Sequence, residues 1–152
     1  MVGGARRGIQ VKLGPVSAVR SRTMAAIRGK NTKPEMVVRS ALHSAGLRFR
    51  LHGRELPGSP DIVFRRIKTV VFVHGCFWHH HQCVRRRWPK ANREFWRAKI
   101  LGNARRDRRT IESLKSDGWR VEIVWECEVR DGGRVARLIR LLKRRRDAVL
   151  NT

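Results

Sequence analysis

Ten consecutive residues, from His74 to Cys83 and called the decapeptide below, carry most of the side chains that could do chemistry. Four of the six histidines and two of the three cysteines of the chain lie there, beside the adjacent aromatic residues Phe77 and Trp78. Thiolate and imidazole groups bind transition metals, and imidazole also transfers protons near neutral pH. The decapeptide therefore predicts a metal site, a general acid or base, or both.

Three cysteines and one histidine would complete a zinc site. A structural zinc ion takes four nitrogen or sulfur ligands in a tetrahedral arrangement. Cys76 and Cys83 have histidines between them, and Cys127, the last cysteine of the chain, is available as a further ligand. We expect Cys127 at the end of a strand that begins near Trp119, on its apolar face. In the alternative interpretation, Cys127 is a buried core cysteine and the histidines bind no metal.

The charge of the chain favours nucleic acid as its partner. Thirty-six lysines and arginines face twelve acidic residues, which gives a net charge of +24 and a pI near 11.9. Such a surface needs a polyanion, and an anionic membrane surface is the weaker alternative. The chain has no apolar run long enough for a transmembrane helix and no apolar stretch typical of a secretory signal. Its odd number of cysteines argues against a disulfide framework and favours a reducing compartment.

The periodicity of apolar residues predicts the element order α-β-β-β-α-β-α, typical of an α/β fold with a mixed central sheet flanked by helices. Residues 1–20 are basic and lack a period, so we expect a mobile arm there and a single domain over 21–152. Thr32 and Glu35 have the spacing of a capping box at the start of the first helix. The other expected elements are a strand at 47–51, a hairpin at 60–64 and 67–73, a helix at about 91–115, a strand at 119–127, and a last helix from 135 with a basic tail at 143–146.

Two carboxylates stand at positions that an apolar side chain would normally take. Asp61 enters an apolar strand beside the hairpin partner that ends at His74, so its carboxylate must be solvated, paired or bound to a metal. Asp107 falls on the apolar stripe of the long helix, seven residues after Ile100 and four before Ile111. A histidine is its natural partner, because a carboxylate that fixes the tautomer of a histidine creates a general base. The alternative is an ordinary salt bridge.

Four stretches of the chain are similar to one known family. They are the decapeptide, residues 56–61 (Leu-Pro-Gly-Ser-Pro-Asp), residues 106–109 (Arg-Asp-Arg-Arg), and residues 118–127, which contain Gly-Trp-Arg and Trp-Glu-Cys. In these stretches the chain resembles the very short patch repair endonucleases, which nick DNA beside T:G mismatches. The resemblance extends from about Ser21 to Arg130. It implies a restriction-endonuclease-like fold and a strand-specific, Mg²⁺-dependent hydrolysis of a phosphodiester bond.

The resemblance also implies a catalytic role for each matching residue. Asp61 and the backbone carbonyl of Val73 would bind the Mg²⁺, and His79, oriented by Asp107, would be the general base. Family members often carry threonine in place of Val73, so in this chain only the backbone carbonyl is available at that position. The remaining groups of the site would be His74 and Glu35.

Zinc and DNA contacts complete the expected arrangement. A structural zinc ion would hold the catalytic loop against the strand that ends at Cys127. Met24, in the segment 21–28, would enter the minor groove, while Phe77 and Trp78 would insert into the duplex beside the mismatch. The zinc ligands assigned in this way are Cys76, His81, Cys83 and Cys127.

A second class of function is a zinc-stabilised nucleic-acid-binding module without catalysis. Such a module explains the charge and the cysteines, but it leaves Asp61, Asp107 and the surplus histidines without a role. The enzyme hypothesis predicts double-stranded DNA with a T:G mismatch as the partner, with mismatch-repair proteins as candidate further partners. We expect a monomer that binds no membrane and works in the bacterial cytoplasm, with the nucleoid.

Overall fold

The computed structural model describes residues 29–83 and 88–152. The expected basic arm at 1–20, the segment 21–28 with Met24, and the arginines at 85–87 lie outside the described residues. None of the helices in the described part is long and apolar enough to cross a membrane.

Eight elements form the described part, and four of them make one sheet. The sheet has the order β1-β2-β3-β4, with antiparallel pairing between β1 and β2 and between β2 and β3, and parallel pairing between β3 and β4. The predicted mixed α/β sheet is thereby confirmed. The elements are α1 (Lys33–Ser44), β1 (Arg50–Leu51), β2 (Ile62–Phe64), β3 (Thr69–His74), α2 (Arg93–Ser116), β4 (Arg120–Trp125), α3 (Glu126–Asp131) and α4 (Gly133–Leu150).

Helices cover both faces of the sheet, which explains why β3 is apolar along most of its length. Val71 and Val73 face a core shared with α1, α3 and α4, whereas Val70 and Phe72 face Leu114 of α2. Every residue of β3 is buried. Strands covered on both faces are continuously apolar rather than alternating. The sheet therefore holds the end of β3, where the decapeptide begins, in a rigid position.

The start of α1 follows the predicted capping pattern with one difference. The Thr32 hydroxyl accepts a hydrogen bond from the Glu35 backbone N–H at 3.4 Å, as an N-cap residue does. The Glu35 carboxylate bonds to the backbone N–H of Asn31 at 3.0 Å, one residue before the position that a regular capping box uses. The Glu35 side chain therefore reaches past the helix end.

Two element boundaries predicted from sequence were wrong. β4 ends at Trp125, so Cys127 lies on α3 and not at the end of a strand. The chain turns there because the Trp125 backbone N–H donates to the Glu128 carboxylate at 3.0 Å, which caps the new helix. Residues 143–146 are not a tail but part of α4, which Arg145 ties to Glu122 of β4 through an ion pair of 2.9 Å.

Candidate active site

Asp61 lies at the mouth of a cavity where β3 ends. The ladder between β2 and β3 extends no further than the pair of Ile62 and Val71. Beyond it, the Asp61 carboxylate accepts a hydrogen bond from the Val73 backbone N–H at 2.8 Å. Burial raises the pKa of Asp61 to about 6, although this hydrogen bond opposes the rise. The cavity encloses about 650 Å³.

His79 and Asp107 meet on the far side of the same cavity. The Nδ1 atom of His79 lies 2.6 Å from an Asp107 carboxylate oxygen, and both side chains are about three-quarters buried. Asp107 reaches this position because α2 packs on the Val70 and Phe72 face of β3 and contacts the decapeptide at Trp78. Because Nδ1 makes this hydrogen bond, Nε2 is the nitrogen of His79 that is left to accept a proton.

His74 stacks on His79. The two ring centroids are 3.8 Å apart and the ring planes differ by 6°. Burial, with the neighbouring His79, lowers the pKa of His74 to about 4, so its imidazole is neutral at physiological pH. The buried Nδ1 atom of His74 has no hydrogen-bond partner among the described residues. His74 therefore offers the site a neutral ring and one unsatisfied nitrogen.

Glu35 approaches Asp61 from α1. Its side chain is only 3% exposed, and the Arg39 guanidinium binds it at 2.7 Å. Ligand atoms of Glu35, His52 and Asp61 all lie within 4.8 Å of one another, so these three residues could hold a cation. A second such group is His74, His79 and Asp107.

Arg39 and His52 are site residues that sequence reasoning missed. Arg39 follows Glu35 by one helical turn, a spacing that permits an ion pair and could have indicated it. His52 has no local signal of this kind. It reaches the site because β1 pairs with β2, and its backbone N–H donates to the Asp61 carbonyl at 3.0 Å. Its φ of +51° is a left-handed conformation uncommon for a residue other than glycine.

The thiols form a separate cluster behind the cavity. One ligand atom from each of four residues lies within 4.8 Å of the other three, and the His81 Nδ1 atom is 3.5 Å from the Cys127 sulfur. His81 stacks on Trp125 at 4.2 Å between centroids. Burial raises the pKa of Cys76 to about 12 and also raises that of Cys127. This thiol cluster consists of Cys76, His81, Cys83 and Cys127.

Aromatic side chains flank the cavity at the start of α2. The ring of Trp96 contacts both Phe77 and Trp78, with centroids 5.7 and 5.9 Å away. The Lys99 ammonium lies 5.8 Å from the Trp78 ring, and Asn103 donates a hydrogen bond to the Trp78 carbonyl at 3.0 Å. Phe77 and Trp78 are half-buried, so part of each ring remains accessible. The decapeptide thus presents aromatic surface next to its titratable groups.

Known proteins similar to this chain act on mismatched DNA or nick it, by their names. A family model described as DNA mismatch endonuclease Vsr matches residues 16–85. The type II nicking enzyme V.XorIIP of Xanthomonas oryzae pv. oryzae is 52% identical over 120 residues, which are 78% of this chain and 88% of that protein. The type II nicking enzyme V.NmeAIP of Neisseria meningitidis is 44% identical over 131 residues, or 86% and 94% of the two chains.

A further relative carries the family name itself. The DNA mismatch endonuclease Vsr of Escherichia coli is 48% identical over 113 residues, which are 74% of this chain and 72% of that protein. Members of this family are nucleases that act on phosphodiester bonds, so the hypothesis of a binding module without catalysis is set aside. The resemblance seen in the decapeptide is confirmed, and the chain belongs to the Vsr family of DNA mismatch endonucleases.

Proposed function

We propose that this DNA mismatch endonuclease nicks one strand of a duplex beside a T:G mismatch, with Mg²⁺ at Asp61 and with His79 as the general base. The observation that carries the proposal is the shared cavity, in which a buried carboxylate faces a histidine held by a second carboxylate. One chain supplies all of these groups, so the proposal needs only a monomer. The names of the relatives, which include nicking enzymes, support cleavage of a single strand.

The Asp61 carboxylate and the Val73 backbone carbonyl would hold the Mg²⁺. In a strand, the N–H and C=O of one residue point to the same edge, so the Val73 carbonyl faces the side on which its N–H meets Asp61. Oxygen ligands suit Mg²⁺, and the raised pKa of Asp61 reflects a buried charge that a cation would stabilise. A bound Mg²⁺ supplies charge stabilisation at the scissile phosphate and a more acidic water.

His79 would take the proton from the attacking water. Asp107 accepts the hydrogen bond from His79 Nδ1–H, which leaves the lone pair of Nε2 free to act as the base. His74 shields one face of the His79 ring by stacking and, being neutral, adds no positive charge beside the base. Glu35 would orient water on the opposite side of the cavity. These roles together describe general base catalysis of phosphodiester hydrolysis.

We propose that the thiol cluster binds one structural Zn²⁺. With a Zn–S distance of about 2.3 Å, tetrahedral sulfur ligands lie about 3.8 Å apart, so ligand atoms within 4.8 Å of one another need to contract by about 1 Å at most. A zinc ion would also stabilise thiolates whose pKa burial otherwise raises. Its part is to tie the decapeptide to α3, and it takes part in no chemical step.

Mismatch selectivity would come from insertion of aromatic side chains. Phe77 and Trp78 expose ring surface beside the cavity, and Met24, which lies outside the described residues, would act from the minor groove. Opening a base step costs a few kcal/mol and costs least where pairing is already poor. The difference favours T:G over T:A without contacts to every base edge.

The test is a nicking assay on an end-labelled duplex that carries one T:G mismatch, with the matched T:A duplex as the substrate control. We expect one cut strand, only on T:G, and only when Mg²⁺ is added to the zinc-loaded protein. The protein control is His43→Gln, which removes an exposed histidine in the last turn of α1 and should cut normally. Equal cutting of T:A, or cutting without divalent metal, would contradict the proposal.

A further inference from the structure

Arg39 is a buried arginine that contacts Glu35 and His52, two residues that line the Asp61 cavity. It is 8% exposed, and its two terminal nitrogens contact groups from three parts of the chain. One nitrogen binds the Glu35 carboxylate at 2.7 Å and lies 3.3 Å from His52 Nε2. The other binds the side-chain oxygen of Asn31 at 2.7 Å. The guanidinium therefore joins the start of α1 to the segment that follows β1.

An ion pair between residues four apart on a helix has an ordinary structural explanation, but three features exceed it. Both Arg39 and Glu35 are buried, so neither charge is satisfied by solvent. The contact to His52 brings in a residue whose backbone N–H is bonded to Asp61. The Nε atom of Arg39 is buried without a partner among the described residues. A buried donor without a partner lowers the stability of the fold, and stabilising the helix end does not require it.

The charge of Arg39 also acts on the cavity. Glu35 and Asp61 contribute two negative charges when both are ionised, and Arg39 cancels one of them. A divalent cation at Asp61 is therefore held by a weaker field than the two carboxylates alone would create. Arg39 would therefore lower the affinity for the cation, and by ordering the Glu35 carboxylate it would raise the rate of the reaction.

We propose that Arg39 is a positioning residue for nicking, whose guanidinium, set against His52, holds the Glu35 carboxylate in the orientation that the Asp61 site needs. This inference rests on the proposed function of Asp61 as the metal site. Arg39 acts through Glu35 and touches neither the metal nor the DNA.

The experiment compares the wild-type protein with Arg39→Met and Arg39→Lys, all zinc-loaded and at pH 8. Mn²⁺ affinity is measured without DNA from the electron paramagnetic resonance signal of free Mn²⁺. Nicking is measured under single turnover at saturating Mn²⁺. For Arg39→Met we expect Mn²⁺ to bind about threefold tighter or more, because one positive charge is gone. We expect nicking about 10–100-fold slower, the usual loss when a group that orients a metal-site residue is removed.

Arg39→Lys keeps the charge without the planar contacts, so its Mn²⁺ affinity should stay near that of the wild type while its nicking remains slow. Asn31→Gly tests the anchor separately. Glycine tolerates the φ of +58° at Asn31, and only the contact to the guanidinium is lost, so a smaller rate loss is expected. A purely structural role for Arg39 predicts lower melting temperatures with no gain in Mn²⁺ affinity.

The double variant Glu35→Gln/Arg39→Met keeps the proposal testable if Arg39→Met fails to fold, since it removes the unpaired buried charge as well. If Arg39 acts through Glu35, the double variant nicks as slowly as Glu35→Gln alone, because the two losses are not additive. Multiplied losses, or unchanged Mn²⁺ affinity in folded Arg39→Met, would overturn the proposal. Unchanged Mn²⁺ affinity in Asp61→Asn would instead overturn the metal site of the proposed function.

Discussion

The thiol cluster and the Asp61 cavity share one loop, yet they differ in how their polar groups are satisfied. In the cavity three acidic groups have a partner from the protein: Asp61 has the Val73 N–H, Asp107 has His79, and Glu35 has Arg39. In the thiol cluster the four ligand groups face mainly one another, and burial raises the pKa of two of the three thiols.

This difference predicts which of the two proposed metal sites would depend on its ion for its structure. A cavity whose carboxylates already have partners would keep its shape with or without a catalytic ion. In a cluster whose ligand groups lie mainly against one another, an ion at the centre would contribute to folding directly. Loss of zinc should therefore unfold the region around the thiol cluster, whereas loss of Mg²⁺ should only inactivate the Asp61 cavity. The predictions below test this contrast, from the largest expected effect to the smallest.

The largest effect is expected from loss of the thiol cluster. Cys127→Ala should lose zinc and melt far below the wild type, because structural zinc binding contributes on the order of 10–16 kcal/mol in small sites. Elemental analysis and thermal melting check both parts. Asp61→Asn is the matched control from the cavity, and it should keep stoichiometric zinc. Purified wild-type protein without stoichiometric zinc would show that the assignment is wrong.

The next effect concerns the pair of His79 and Asp107. Asp107→Asn keeps the shape but is a poor acceptor for the imidazole, so single-turnover nicking should fall by about 10²–10⁴-fold. His79→Ala should lose a similar amount, and the double variant no more, because the two residues act as a unit. Zinc content and binding to mismatched DNA should stay almost unchanged.

Asp117→Asn, a change at the exposed end of α2, is the matched control and should nick normally. If Asp107 were only a structural salt-bridge partner, Asp107→Asn would lower the melting temperature and leave turnover near normal in the folded fraction. Multiplicative rate losses in the double variant would also rule out the pair.

A smaller effect on stability follows from the buried Asp61. Its pKa of about 6 in the folded protein exceeds the ordinary value of 3.8, so the folded state binds the proton more strongly than the unfolded chain. This contribution to stability is fully present below pH 3.8 and is lost as the pH rises through 6. Asp61→Asn, which does not titrate, should therefore become more stable than the wild type by about 3 kcal/mol at pH 7 without Mg²⁺.

Chemical denaturation of both zinc-loaded proteins between pH 4.5 and 8 measures this difference. Addition of Mg²⁺ should stabilise the wild type and not Asp61→Asn, because only a state that binds the ion gains from it. If the stability difference does not change with pH, burial does not raise the pKa of the Asp61 carboxylate.

The smallest effect is expected at the aromatic surface between the two sites. Trp78→Ala should reduce the preference for mismatched over matched duplex about tenfold, since stacking of one aromatic side chain on a base contributes about 1–3 kcal/mol. Competition binding with T:G and T:A duplexes measures it. The control is Trp119→Phe, which alters a tryptophan that packs against the buried cluster between the sheet and Leu114 of α2. Equal losses on both duplexes would indicate that Trp78 is a core residue.

Local patterns were sufficient for much of the fold. Apolar periodicity identified the hairpin of β2 and β3 and the long helix α2, because burial on one or both faces of an element leaves a repeat in the sequence itself. It failed at the end of β4, where the Glu128 carboxylate caps a new helix, and beyond Leu142, where an ion pair to Glu122 keeps basic residues helical. Both failures involve polar contacts that override local preference.

For the site, the sequence by itself determined the chemistry that is present: the thiols, the histidines, and two carboxylates in apolar surroundings. Residue types and their spacing are sufficient for that, because metal ligands and proton carriers belong to few side chains. Tertiary structure alone decided which groups meet. The 2.6 Å contact of His79 with Asp107 spans 28 residues, and His52 reaches Asp61 only through the pairing of β1 with β2. Such contacts depend on sheet topology and helix packing, which no local spacing encodes.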